Sequence, residues 1–134
     1  MPPTLRVVCA CVVRAGTVFV ARRGASMKHP GTWEFPGGKV EVGESDSVAL
    51  VRELQEELAW EVQVGACVGE GTTGPIHLVG YLCEGIGEPT LVEHDNGAWL
   101  GSAALSELDW APADAPILAG LVRMLTSENY SITG

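Results

Sequence analysis

The segment "RELQEEL", residues 52–58, carries three glutamates: Glu53, Glu56 and Glu57. Like charges at these spacings on a helix repel, and each close pair costs about 0.2–0.5 kcal/mol. Clustered carboxylate oxygens are also the ligands that hard divalent cations prefer, and a bound dication offsets the repulsion between them. The spacing alone therefore indicates either a metal-binding array or an acidic face exposed to water.

An amphipathic helix from about Ser45 to Leu58 must position these glutamates, and Ser45 or Asp46 can cap its first turn. On a helical wheel the glutamates occupy about 100° of arc. They lie beside an apolar stripe that consists of Leu50, Val51, Leu54 and Leu58. Burial of this stripe should turn the carboxylates toward one neighbouring region of the fold.

The residues before the helix add a specific spacing. Gly38 is followed after five residues by Glu44, and Glu44 after seven residues by Arg52. Together with "RELQEEL" this spacing resembles the Nudix box, Gly-x5-Glu-x7-Arg-Glu-apolar-x-Glu-Glu-x-Gly-apolar, over residues 38–60. The departure is Ala59, where the family has a glycine that ends the helix. Alanine in the left-handed conformation expected there costs about 1 kcal/mol, but the change removes no charged group.

The resemblance implies a divalent metal, Mg²⁺ or Mn²⁺, bound on the substrate's phosphates. Its implied ligands are the carbonyl of Gly38 and the carboxylates of Glu53, Glu56 and Glu57. Arg52 is expected to hold a catalytic carboxylate by a charge-assisted pair, and Glu44 to pair with a basic group. Glu53 is the expected activator of water, and Glu93 in "VEHDNGAW" is its competitor.

The wider stretch "GTWEFPGGKVEVGES" looks like the MutT branch of the family, the nucleoside triphosphate pyrophosphohydrolases. This resemblance implies release of pyrophosphate and a nucleoside monophosphate, with nucleotide-pool sanitation as the role. Arg23 and Lys39 are candidate phosphate contacts, Phe35 a candidate base-stacking residue, and Asp114 in "APADAP" the candidate base reader. An ionised Asp only accepts hydrogen bonds, so cytosine and oxidised guanine both stay open.

Two other functions compete with this one. Pro75 lies 15 residues past the box, which resembles a feature of ADP-ribose hydrolases, although a proline beside a glycine is commonly just a turn residue. A non-catalytic ligand sensor on the same fold is the other alternative. Such proteins usually lose box glutamates, whereas this chain keeps them.

The remaining pattern predicts several short strands around two helices. Strands are predicted over residues 5–14, 17–22, 61–70, 76–85 and 97–102, a helical turn within residues 102–110, and a final helix over residues 111–127. We therefore expect an α+β fold, and the resemblance narrows this to the Nudix α/β/α sandwich, with a mixed sheet between helices and a single domain over residues 1–134.

Composition limits the function classes. The 134 residues carry a formal net charge of −9, so we expect no nucleic-acid polymer as a partner. We expect no membrane span, because no apolar run approaches the necessary ~20 residues. The N-terminal stretch lacks signal-peptide features, so we expect a cytoplasmic protein, either monomer or homodimer. The four cysteines form no CxxC pair and are expected to be buried, reduced thiols.

Overall fold

A seven-stranded mixed sheet with helices on both faces forms the protein. The structure is a computed structural model that describes residues 5–110 and 112–125. The strands are β1 (Leu5–Arg14), β2 (Thr17–Arg22), β3 (Trp33–Glu34), β4 (Gly37–Lys39), β5 (Glu61–Thr73), β6 (Ile76–Ile86) and β7 (Asn96–Leu100). The helices are α1 (Asp46–Leu58), α2 (Ser102–Leu105) and α3 (Ala115–Leu125). A 3₁₀ turn, Pro112–Asp114, precedes α3.

The sheet runs in the order β3-β2-β1-β6-β5, while β4 pairs with β1 and β7 pairs with β2. The β1–β6 pair is parallel and the other pairs are antiparallel. The predicted α+β fold with a mixed sheet is therefore confirmed. The strand predicted over residues 61–70 continues to Thr73, and register shifts interrupt its pairing with β6 near Cys67.

Alternation along β1 divides the core into two layers, because successive side chains of a strand point to opposite faces. Val8, Ala10 and Val12 pack with the buried face of α1. Cys9 and Cys11 pack with Ile117 and Leu121 of α3 on the other face. Strand β1 thus supports α1 on one face of the sheet and α3 on the other.

Three local expectations change in the structure. Val51 is exposed, so the apolar stripe of α1 narrows to Leu50, Leu54 and Leu58, with Ala49 added. Cys67 is exposed, which contradicts the expectation that the cysteines are buried, although all four are free thiols. The final helix begins at Ala115 rather than at residue 111, and residues 111, 126 and 127 of the predicted helix lie outside the described residues.

Candidate active site

Helix α1 is fixed at both ends. Ser45 is the N-cap, and its hydroxyl accepts a hydrogen bond from the Val48 N–H at 3.2 Å. Ala59 ends the helix in the left-handed conformation, with φ 49° and ψ 42°, and its N–H donates to the Gln55 carbonyl. The left-handed conformation expected at the position of the family's glycine is therefore present, and it is unfavourable for alanine.

Arg52 organises the carboxylates that surround it. Its Nε and Nη2 donate to both oxygens of Glu44 at 2.8 and 2.9 Å, a bidentate pair. Its Nη1 donates to Glu53 at 3.1 Å and to Glu56 at 3.3 Å, and its Nη2 also donates to the Lys39 carbonyl. These hydrogen bonds hold the pKa of Glu44 down at about 2. The structure thus gives Arg52 and Glu44 the pairing expected of them.

Glu53 lies against the glycine pair before the helix. A Cβ added to Gly38 would overlap the Glu53 carboxylate, with Oε2 and Oε1 at 2.5 and 2.6 Å. A Cβ on the preceding Gly37 would overlap the Val8 carbonyl. Partial burial raises the pKa of Glu53, and its hydrogen bond to Arg52 opposes that rise. Glycine at residue 38 is therefore required for close approach of the Glu53 carboxylate.

Glu57 is the most buried carboxylate of the helix flank. Burial raises its pKa to about 8, and the charges of Glu34 and Glu53 add to that rise. Among the described residues, no group donates a hydrogen bond to its buried Oε1. A buried oxygen without a donor is costly, and a divalent cation is one partner that can satisfy it.

The three glutamates of α1 line one small cavity of about 210 Å³, together with Met27, Val92, Glu93 and His94. Glu93 reaches this wall from the loop before β7, as its competing role requires. In the described part of the chain, however, no three His, Cys, Asp or Glu side chains converge closely enough to hold an ion. The expected metal cluster is therefore not preassembled: Arg52 holds Glu53 and Glu56 by hydrogen bonds, whereas the buried Oε1 of Glu57 has no donor among the described residues.

A second pocket of about 480 Å³ adjoins the glycine pair. Among its lining residues are Arg23, Phe35, Gly37, Gly38, Lys39 and Asp114, so the four predicted substrate contacts lie around one space. Lys39 is exposed at its edge. The Arg23 guanidinium is already engaged, because it pairs with Glu34 at 2.6 Å and donates to the Lys28 carbonyl.

Asp114 and Phe35 are joined to each other in this pocket. The Phe35 N–H donates to Asp114 Oδ2 at 2.9 Å. Burial raises the pKa of Asp114 to about 7, so near neutral pH a protonated form, which also donates, accompanies the carboxylate that only accepts. The Phe35 side chain is 2% exposed and packs on Trp110 at 4.7 Å. Its base-stacking role loses support, because the ring belongs to the core.

Two residues of the site were missed by sequence reasoning: Glu34 and His94. The His94 Nε2 lies 2.7 Å from Glu34 Oε2, while Glu34 Oε1 accepts from Arg23. Glu34 stands directly before Phe35 and the glycine pair, and His94 directly follows Glu93. These adjacencies were the available signals, but nothing in the spacing of residues 34 and 94 predicts that they meet.

Pro75 belongs to a turn between β5 and β6, beside Gly74 with φ +57°. Its carbonyl accepts a hydrogen bond from the Leu5 N–H. Pro75 is among the lining residues of neither cavity described above. The turn interpretation of this proline is therefore the one that its contacts favour.

Comparison with known proteins decides the family. A sequence profile described as NUDIX domain matches residues 3–121. The chain belongs to the Nudix family. Divalent-metal dependence is general to Nudix hydrolases, and the carboxylate-lined cavity has the oxygen donors for such an ion. Within the described residues, no helix is both long enough and apolar enough to cross a membrane.

Two similar proteins are named for different nucleotide substrates. A Mycobacterium tuberculosis protein provisionally named 8-oxo-dGTP diphosphatase 2 is 42% identical over 131 residues, 89% of each chain. The CTP pyrophosphohydrolase of Escherichia coli K12 is 37% identical over 126 residues, 90% of this Nudix chain and 93% of that relative. The solution structure of the E. coli ORF135 protein is similar with a TM-score of 0.83 at 35% identity, and the match covers 95% of this chain and 94% of that one.

Proposed function

We propose that this Nudix hydrolase cleaves a (deoxy)nucleoside triphosphate to the monophosphate and pyrophosphate. The observation that carries the proposal is the adjacency of the two cavities at Gly38. This residue lines the larger pocket, and its Cα face contacts the Glu53 carboxylate of the smaller one. A nucleoside in the larger pocket can therefore extend its phosphate chain toward the box glutamates.

The metal ligands in this proposal are the Gly38 carbonyl and the carboxylates of Glu53, Glu56 and Glu57. Bound Mg²⁺ or Mn²⁺ supplies neutralisation of the phosphate charge and orients the attacking water. The Glu57 Oε1, which has no hydrogen-bond donor among the described residues, supports this assignment. Arg52 donates hydrogen bonds to Glu53 and Glu56, so it acts as a positioning residue for them.

Water attack forms a bond to one phosphorus of the phosphate chain and breaks its bond to the oxygen that bridges the α- and β-phosphorus atoms, so that monophosphate and pyrophosphate separate. Glu53 takes the water proton in this proposal, and Glu93 is the competing base. Both side chains line the same cavity. The contact of the Glu53 carboxylate with Gly38, where the two cavities meet, supports its assignment.

Lys39 and Arg23 are the proposed phosphate contacts. Lys39 is exposed at the pocket edge and can move toward a phosphate. Arg23 is held by Glu34 and the Lys28 carbonyl, which fixes its guanidinium in the pocket wall. A held guanidinium offers a preorganised donor, whereas the lysine contributes a mobile point charge.

Asp114 is the proposed base reader, and the substrates are (d)CTP-type nucleotides or 8-oxo-dGTP. The names of the two relatives support both substrate classes. A carboxylate accepts from the cytosine amino group or from the N–H groups of guanine. Because the Asp114 pKa of about 7 lies near neutrality, the neutral acid can also donate to a ring nitrogen or carbonyl oxygen.

The wider setting is part of the same proposal. The enzyme acts in the cytoplasm as a single domain over residues 1–134, as a monomer or homodimer. Its partner is the nucleotide and not a nucleic-acid polymer, which the net charge of −9 supports. Removal of unwanted nucleotides from the pool is the corresponding cellular role.

A substrate panel tests this function. Purified protein with Mg²⁺ or Mn²⁺ is given dCTP, CTP, 5-methyl-dCTP, 8-oxo-dGTP, dGTP or ADP-ribose, and monophosphate and pyrophosphate are quantified.

We expect Glu53→Gln and Glu57→Gln each to lower kcat at least ~100-fold, while Glu107→Gln, an exposed control, keeps parental activity. Asp114→Ala should raise KM about tenfold more for the preferred base than for the others. Undiminished pyrophosphate release in both box variants would contradict the mechanism.

A further inference from the structure

One buried residue stands out in the exposed loop that leads to β7. Among residues 84–100, all of which the structure describes, His94 is the only buried one, and its side chain is 1% exposed. Glu93 and Asp95 on either side of it are exposed. Burial of a polar ring in an otherwise exposed segment needs a specific attachment, because a buried polar group without a partner is costly.

That attachment is Glu34 of β3. Its Oε2 lies 2.7 Å from His94 Nε2, so the imidazole donates from Nε2 to the carboxylate. Among the described residues the other ring nitrogen, Nδ1, has no hydrogen-bond partner. The Glu34 interaction is therefore the polar contact that holds the ring. Glu34 is itself fixed, because its Oε1 accepts from Arg23 at 2.6 Å.

The backbone around His94 is docked onto the end of β2. The Asp95 N–H donates to the Arg22 carbonyl at 3.1 Å, and the Arg22 Nε donates to the Asp95 carboxylate at 2.7 Å. The Glu93 carbonyl lies so close to Gly24 that an added Cβ would overlap it. These contacts leave the Glu93 side chain directed at the cavity that it shares with the box glutamates.

We propose that His94 is a positioning residue: its hydrogen bond to Glu34 fixes the loop so that Glu93 is held in the wall of the carboxylate cavity. The inference rests on the proposed function, because Glu93 matters only if this cavity carries the hydrolysis. His94 acts through Glu93 and touches neither the phosphates nor the attacking water. It also connects the two cavities, because Glu34 lines the larger pocket.

A double-mutant cycle tests the kinetic part. His94→Leu removes the hydrogen bond and should lower kcat about 10- to 100-fold with KM within about threefold, since a displacement near 1 Å costs on this scale. His94→Gln should recover most of the activity, because its amide nitrogen can replace Nε2. In a Glu93→Gln background, His94→Leu should cost less than about threefold further, since both changes remove the same contribution.

The matched control is His77→Leu. It deletes another histidine–glutamate pair, His77 Nε2 to Glu70 Oε1 at 3.0 Å, between β6 and β5, and should leave kcat unchanged. Parental kcat in His94→Leu, parental kcat in Glu93→Gln, or losses that multiply in the double variant would each overturn the proposal. Should His94→Leu not fold, His94→Asn takes its place, because its shorter amide falls short of Glu34.

A substrate-free measurement separates this inference from the proposed function. We expect the Asp95 amide to exchange its hydrogen at least about tenfold faster in His94→Leu, while His94→Gln keeps the parental rate. Unchanged exchange in His94→Leu would show that the histidine does not hold the loop. A parent enzyme that cleaves none of the nucleotides would contradict the proposed function. The exchange rates would still show whether the His94–Glu34 hydrogen bond holds the loop.

Discussion

The two cavities differ in how much of the chain builds them. The carboxylate cavity takes three of its four glutamates from a single helix, and loop residues, Glu93 among them, complete its wall. The larger pocket draws on β1, the loop after β2, β3, β4, the end of β5, the start of β6, and the turn before α3. The proposed reaction machinery is thus mostly local in sequence, whereas the proposed base recognition depends on chain segments that only the fold brings together.

The cavities also share an electrostatic feature. Each contains a carboxyl group whose pKa burial raises, to about 8 for Glu57 and about 7 for Asp114. Glu34 adds to both rises, because its negative charge disfavours the ionised form of each group. The two carboxyl groups differ in the partner that offsets the cost of burial. A metal ion can bind the Glu57 oxygen, whereas Asp114 already accepts a backbone hydrogen bond from Phe35.

The largest expected effect comes from Gly38, where the cavities meet. Gly38→Ala places a Cβ where the Glu53 carboxylate now lies. Because that carboxylate ends a flexible side chain, it can move away, so we expect kcat to fall about 100-fold while the melting temperature changes by less than about 2 °C. Gly101→Ala is the control, since an added Cβ there meets nothing within 4 Å. Parental turnover in Gly38→Ala would mean that the position of Glu53 is not critical.

A smaller effect is expected from Asp114 of the larger pocket, and it should appear as a dependence of stability on pH. The folded pKa of Asp114, about 7, lies above its ordinary value of 3.8, so ionisation opposes folding. The cost begins as pH rises past 3.8 and is complete above about pH 7. Asp114→Asn stays neutral and can still accept from the Phe35 N–H. We expect it to raise the free energy of unfolding by about 2 kcal/mol at pH 8 and by little at pH 4.5.

Denaturant titrations at the two pH values measure this difference, with the exposed Asp109→Asn as a control for the loss of one charge. An equal stabilisation at pH 4.5 and pH 8 would argue that Asp114 is not destabilised by ionisation. In that case the proposed donation of a hydrogen bond by the neutral acid loses its support, and Asp114 acts on the base as an acceptor alone.

The smallest effect concerns the local segment itself. Ala59→Gly relieves the left-handed conformation at the end of α1 and should stabilise the protein by about 1 kcal/mol, seen as a melting temperature about 3–5 °C higher. Ala103→Gly in the short helix α2 is the matched control, because the same change in a right-handed helix should lower stability. A lower melting temperature in Ala59→Gly would contradict the strain inferred from φ 49°.

Much of the fold followed from short-range pattern. The bounds of β1 and β2, α1 with its Ser45 cap, and the left-handed turn at Ala59 agree with the sequence predictions. The structure departs from the sequence expectations where neighbours distant in sequence decide the environment. Val51 fits the apolar stripe of α1 but faces solvent, and Phe35 fits a base-stacking loop but packs on Trp110.

The sequence by itself determined the spacing of the box, the helix that presents its glutamates and the position of Arg52 among them, because these depend on helical periodicity over a few turns. The tertiary structure alone decided that Glu34 meets His94 and that Asp114 meets Phe35. It also decided that Glu34, Phe35 and Asp114 line one pocket with the glycine pair. Such meetings depend on strand register and on burial, which changes pKa values and removes solvent, and neither is encoded in the spacing of the residues concerned.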